Sequence, residues 1–416
     1  SIQQLTNWLQ DSFSFTQKDS IMKNYLLIIF LLSICLSCKK AQIQPTLASS
    51  IPIPWNDSSN IHPKSAAFTA LLKKYHDKGL PGISLLVNDA NGTWVGAIGK
   101  ADIEKNVPFD VGQVSKIASI TKLFIGTLVF KLIEDSVNTG LGYNALNTKI
   151  NSWLPSSITN KLPNGNKITL GQCMKHETGI PDVIEENAFY LAVLNDPNKI
   201  WKPEELLEFV YNKPPVFNPS DTAIYSNTNT VLVIMVIEAV THKDHSDLLK
   251  QYVLNPLHLT NTYYQPHDVL PNTVTQGYFD LYNNNTIVNV SNLVTGSGNG
   301  YGGIYSNVFD LYTFINALLL KKTLLSEKSL NVMETFGKPD DPNEYGYGLM
   351  KKFISRGVDA GLGHSGRDLG YTANLFYFPN KGVTHVFLVN YGTDAKSNLR
   401  QVFYDFQDEL LNLTLQ

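Results

Sequence analysis

Strand-type hydrophobic patterning stands at both ends of this chain, and helix-type patterning fills the middle. Near the start, Gly82 to Val87 and Thr93 to Ile98 flank Asn91-Gly92, a dipeptide suited to a tight hairpin turn. Near the end, Ala373 to Phe378 and Val383 to Val389 alternate around the turn Pro379-Asn380-Lys381-Gly382. The region from about 119 to 270 reads as mostly helical. Its run Val231 to Val240 is apolar all round and predicts a buried helix. Ser65 is a plausible N-cap for a helix carrying Phe68, Leu71, Leu72 and Tyr75, closed by Gly79 and Pro81. A last helix covers about Asn398 to Leu411. The pattern predicts an α/β (α+β) fold: one sheet assembled from both termini, flanked by helices, with an all-α region inserted.

The chain has 416 residues, 43% hydrophobic and 17% charged, enough to bury a sizeable core. A net charge of -3 gives no reason to expect nucleic acid as a partner. Met22-Lys23-Asn24 precedes an apolar run from Tyr25 to Cys38 that is short for a bilayer span. Residues 22–38 therefore read as a secretory signal. Cys38 follows Ser37 and precedes Lys39-Lys40, which resembles a bacterial lipoprotein cleavage site, although Cys35 and Leu36 fit it imperfectly. The expectation is export to the bacterial cell envelope, as a lipoprotein held to the membrane through Cys38 or as a periplasmic protein. Residues 1–21 precede that signal and are read as a misplaced start. Residues 39–63, with Pro45, Pro52 and Pro54, are expected to be a tether, and residues 64–416 the folded domain. Of the three cysteines, Cys35, Cys38 and Cys173, the last would have no partner after cleavage, so the fold needs no disulfide.

Three short segments then carry chemistry. Ser119-Ile120-Thr121-Lys122 places an amine one helical turn from a hydroxyl, Tyr225-Ser226-Asn227 supplies a phenol and an amide, and His364-Ser365-Gly366 supplies a polar wall. Each is weak alone: Ser-x-x-Lys occurs three times and Tyr-x-Asn twice. Ser20–Lys23 and Ser37–Lys40 fall in or beside the leader, and Tyr282–Asn284 lies in a run of asparagines. Only Ser119 opens a strongly apolar helical stretch, Leu123 to Ile133.

In this order the residues resemble the serine β-lactamase and penicillin-binding superfamily, in the branch holding class C β-lactamases, D-alanyl-D-alanine carboxypeptidases and related esterases. The resemblance runs from about Pro81 to Tyr391. It includes Ile168-Thr169-Leu170, His176 to Pro181, Asn255 to Thr262, and Gly302-Gly303-Ile304-Tyr305-Ser306 before Asp310-Leu311. It implies a β-lactamase/transpeptidase-like fold with the active site in the cleft between the sheet domain and the all-α region. It also implies a second oxyanion donor at the Arg367 N–H. Class C β-lactamases usually carry Lys-Thr-Gly at the third motif, and this chain has none. His364 there is familiar from carboxypeptidase and D-aminopeptidase relatives, which weakens the β-lactamase reading.

A serine hydroxyl needs a base to become a nucleophile near neutral pH. Lys122 can serve only when neutral, against an ordinary pKa of about 10.4, or Tyr225 serves instead. Ser119 is thus the candidate nucleophile, Lys122 and Tyr225 the candidate proton relay, and Asn227 the group that orients Lys122 and the substrate amide. His364, Ser365, Gly366 and Arg367 are candidate substrate-binding residues. His364 is expected to be neutral or charged near pH 7. Arg367 or Arg356 is a candidate clamp for a substrate carboxylate.

The expected activity is a serine hydrolase working through an acyl-enzyme on small peptides or amides, most simply ones containing D-amino acids. Alternatives are a small-ester hydrolase and a penicillin-binding sensor that acylates without turnover. No metal or organic cofactor is implied. Gly298-x-Gly300-x-x-Gly303 lacks the strand and helix of a nucleotide site. His242, Asp244, His245 and Asp247 read as a solvated turn, and His176 as part of a structural turn. The segments Glu185 to Trp201 and Asp268 to Asn299 are expected to shape the pocket.

Overall fold

The first and last thirds of the chain meet in one antiparallel sheet. In this computed structural model the described residues are 43–49, 51–55, 58–337, 343–393 and 397–416. The segment 1–21, the leader 22–38 and Cys38 lie outside them. Among the described residues no helix is long and apolar enough to cross a membrane.

The sheet has eight strands in the order Val107–Pro108, Gly92–Asp102, Gly82–Asp89, Val383–Val389, Tyr371–Phe378, Gly361–Asp368, Met350–Lys352 and Glu344–Tyr345. The hairpin expected around Asn91-Gly92 is present, with Val87 opposite Trp94. The two ends join where Leu86 faces Val386. The Val383–Val389 strand is buried along its whole length. Both faces of the sheet are covered, so the expected alternation sorts residues between two cores and leaves neither face to water.

On one face lie the helices Ser65–Asp77 and Arg400–Leu415, packed through Phe68, Leu72, Phe387, Phe403 and Phe406. On the other, Leu86, Val386 and Leu388 join a core that packs against the helix Val308–Ile315 and also holds the helix Thr121–Glu134. The inserted region supplies a second buried helix, Asn227–Thr241, in which every side chain from Asn227 to Ile237 is buried. These two helices bring the first two motifs against the sheet strand that carries the third, Gly361–Asp368.

Three expectations need correction. Ser65 is the first helical residue and not the cap; its hydroxyl accepts a hydrogen bond from Trp94 Nε1 at 3.2 Å. Part of the expected tether is packed onto the domain. Thr46 N–H donates to Asp102 Oδ2 at 3.0 Å, Ser59 Oγ accepts from Val95 N–H at 2.8 Å, and His62 Nε2 lies 3.1 Å from Asp89. These polar side chains satisfy strand groups, a role that a proline- and serine-rich composition does not reveal. The turn around His242 is also not wholly solvated, because His245 is buried at its centre.

Candidate active site

Ser119 sits in a single 3₁₀ turn, Ala118–Ile120, that feeds directly into the Thr121–Glu134 helix. Ala118 has φ +47°, a left-handed conformation that costs a residue with a Cβ about 1–2 kcal/mol. The turn is held by Thr121 Oγ1, which donates to the Ala118 carbonyl at 2.7 Å. Its neighbours Ala118 and Ile120 are buried, while Ser119 lines an open cleft.

Lys122 lies one turn along, 2% exposed. Its Nζ donates to Ser119 Oγ at 3.2 Å, to Asn227 Oδ1 at 2.6 Å and to the Tyr301 carbonyl at 2.9 Å. Asn227 is fixed from its other side, where Nδ2 donates to Asp182 Oδ2 at 2.8 Å. That pairing dictates which amide atom faces Lys122. Burial pushes the Asp182 carboxyl up to about 6, against the hydrogen bonds it receives from Asn227 and Ile184. Asp182 was not anticipated from the sequence, since it stands in no motif.

The Tyr225 ring packs between His176, at 4.5 Å between centroids, and Tyr345, at 5.6 Å. The Lys122 ammonium lies 4.7 Å from its centre. Burial, with the nearby Lys122 charge, holds the His176 imidazole well below its ordinary pKa. Neutral His176 accepts the Ser226 N–H at Nδ1, 3.3 Å away, and so shapes the Tyr225-Ser226-Asn227 turn as expected of a structural residue.

The third motif lies on the Gly361–Asp368 strand. Gly366 passes so close to the Ser119 turn that a Cβ there would stand 1.9 Å from the Ile117 carbonyl and 3.2 Å from Ser119 N. Only glycine permits this approach, and the next residue, Arg367, lines the cleft with Ser119. His364 is buried, and its Nδ1–H donates to the Ser365 carbonyl at 2.6 Å. Burial beside Lys122 takes its pKa down to about 3, so of the two states left open, His364 is neutral near pH 7. Ser365 Oγ instead receives a hydrogen bond from Lys352 Nζ at 3.0 Å. Burial and the neighbouring Arg367 charge lower the Lys352 pKa to about 7. Lys352 was also missed; it comes from a short strand with no recognisable signature.

The two arginines are engaged by the closing helix. Arg367 lies over the Tyr404 ring at 5.3 Å, and Arg356 Nη2 donates to Asn412 Oδ1 at 3.0 Å. Lys352 and Arg367 line the cleft together, whereas Arg356 is not among its lining residues. Glu185, Tyr190, Thr295 and Ser297 reach the cleft walls, from the two segments expected to shape the pocket. The assembled groups can deprotonate a hydroxyl and hold an anion at one side.

The Beta-lactamase family model matches residues 66–407, and the chain belongs to that family, within the serine β-lactamase and penicillin-binding superfamily. A D-stereospecific amidohydrolase from Streptomyces sp. superposes with a TM-score of 0.69 at 28% identity, covering 82% of this chain and 98% of that one. The D-amino acid amidase of Ochrobactrum anthropi SV3 superposes with a TM-score of 0.72 at 23% identity, covering 86% and 98%. Penicillin-binding protein 4* of Bacillus subtilis is 23% identical over 322 residues, 72% of this chain and 66% of its own length. A beta-lactamase-like protein of Arthroderma benhamiae is 27% identical over 233 residues, 49% and 35%. The chain thus spans less than two thirds of the length of these two curated relatives.

Proposed function

We propose that this protein is a serine hydrolase that cleaves small peptide or amide substrates containing a D-amino acid, through an acyl-enzyme on Ser119. The observation that carries the reading is Lys122 Nζ at 3.2 Å from Ser119 Oγ, inside a cleft. Ser119 Oγ attacks the substrate carbonyl carbon, and its proton passes to the Lys122 amine or to the Tyr225 phenolate. The carbonyl oxygen takes the negative charge between the N–H groups of Ser119 and Arg367. The C–N bond then breaks, the leaving amine takes the proton, and an ester on Ser119 remains. Water, deprotonated by the same pair, attacks that ester and restores the hydroxyl.

Two observations support the substrate class. The Streptomyces neighbour is named for D-stereospecific amide hydrolysis. Lys352 with Ser365 offers a cation and a hydroxyl for a free carboxylate, which favours carboxypeptidase-type cleavage of a peptide end. Neutral His364 leaves the third motif itself without a charge. The signal-like segment 22–38 makes the cell envelope the proposed place of action.

The test is intact mass after exposure to a fluorescent penicillin and, separately, to a fluorophosphonate, with Ser119→Ala alongside. A Ser119-dependent penicillin adduct is expected. Its slow loss would indicate a peptidase, and its persistence a sensor. Labelling by fluorophosphonate alone would move the reading to an esterase. No adduct with either reagent would overturn it.

A further inference from the structure

Behind Lys122 runs a chain of polar groups that the proposed reaction does not touch. It begins in the glycine loop Gly298 to Gly303. Gly300 has φ +88°, and a Cβ on it would meet the Thr230 carbonyl at 2.9 Å. The loop is thereby pressed onto the Asn227–Thr241 helix, and it presents the Tyr301 carbonyl to Lys122. The glycine spacing that mimics a nucleotide motif serves this close contact.

The loop is pinned from behind. Gly300 N–H donates to Tyr264 Oη at 2.8 Å. Tyr264 is buried, and burial pushes its phenol far above the ordinary range, so it keeps its proton. His245 Nε2 lies 3.1 Å from the Tyr264 hydroxyl. His245 Nδ1 then carries the ring hydrogen and donates it to Glu238 Oε1 at 2.6 Å. His267 steadies the loop's other end, with Nε2 at 2.9 Å from the Gly298 carbonyl and its ring 4.8 Å from Tyr264. Ligand atoms of Glu238, Asp244 and His245 converge within 4.8 Å, but both nitrogens of His245 are already committed. The cluster is therefore a hydrogen-bond relay and not an ion site.

We propose that Tyr264 and His245 are positioning residues for Lys122, acting through the loop that holds the Tyr301 carbonyl. This rests on the reading that Lys122 serves Ser119. The reaction then depends on a buried Tyr–His–Glu series that touches neither substrate nor nucleophile.

The decisive variant is Tyr264→Phe, which keeps the ring and removes the phenol oxygen. Tyr278→Phe is the control: it removes another buried phenol that accepts a backbone N–H, from Ile103 at 2.7 Å, outside this series. Two readouts are taken. In the first, fluorophosphonate labelling of Ser119 should lose about tenfold in its saturating rate, with half-saturation unchanged. In a Lys122→Ala background, Tyr264→Phe should add no further loss. Losses that multiply in the double variant would overturn the proposal. In the second, reductive methylation of the Lys122 amine is followed by mass. It should quicken severalfold in Tyr264→Phe and stay at the wild-type rate in Tyr278→Phe. Equal methylation in wild type and Tyr264→Phe would overturn the proposal even if Ser119 is never labelled. Failure of labelling in the wild type itself would instead overturn the reaction assigned to the site.

Discussion

Lys352 Nζ stands 3.0 Å from Ser365 Oγ, and this pair places a cation beside a motif whose own first residue is neutral. Among the described residues no carboxylate lies within ion-pair distance of Lys352, and its charged neighbour is Arg367. A partly desolvated ammonium with a single neutral acceptor is poorly satisfied until an anion arrives. On the proposed function, this relationship sets which substrate end the cleft would select.

Selection should therefore weaken as Lys352 loses its proton. Its pKa is lowered to about 7, so the ammonium is present below that pH and lost above it. Arg367, Glu185, Asp182 and His364 share the site, and the last two titrate near 6 and 3, below the window. The preference for a peptide with a free carboxylate over its amide should be full below pH 7. Above it, the preference should fall by up to about tenfold per pH unit. Ratios of kcat/KM for the two peptides across that range check this, and a flat ratio would remove Lys352 from substrate recognition.

The same lysine should cost stability. Its folded-state pKa lies below the ordinary 10.5, so the unfolded chain binds that proton more tightly. The cost is full at low pH, is still large near pH 7, and fades as pH rises towards the ordinary lysine value. Lys352→Met should raise unfolding stability by about 1 kcal/mol at neutral pH while weakening carboxylate selection. Denaturant titration at two pH values reads both the gain and its decline.

Removal of Lys122 tests the proton relay. Lys122→Ala should slow acylation of Ser119 by about 10²–10⁴ with the fold retained, the usual range for losing a general base. Single-turnover labelling kinetics with circular dichroism measure this, and a loss below tenfold would point to Tyr225 as the base.

Gly366→Ala tests the crossing of strand and turn. A Cβ at 1.9 Å from the Ile117 carbonyl forces the two apart, at a cost of about 1–3 kcal/mol. The Arg367 and Ser119 N–H groups should separate with them. Acylation should fall towards the 10²–10³ loss typical of a missing oxyanion donor, roughly as seen for such sites generally. Normal labelling in a destabilised variant would show that the backbone donors lie elsewhere.

Much of this architecture is legible in the chain because local patterns carry it. Asn91-Gly92 marks the first hairpin, and the apolar run from Val231 marks a buried helix, since both signals need only neighbours in sequence. Ser119 and Lys122 meet because residues three apart share a helix face. Asp182 and Lys352 were not legible. Each is a lone charged residue whose position depends on where distant elements pack. His245 looked like part of a polar turn, and its burial depends on Tyr264, nineteen positions on. The directions of Arg356 and Arg367 were likewise set by a helix at the far end of the chain.

The pairing of Leu86 with Val386 has a consequence for synthesis. The first hairpin leaves the ribosome long before its partner strand exists. At about 5–20 residues per second, the wait is on the order of 15–60 s. During that time the apolar edge of the Gly82–Asp89 strand has no neighbour. The fold therefore closes only when the Tyr371–Phe378 and Val383–Val389 strands arrive, and until then the domain stays unfinished.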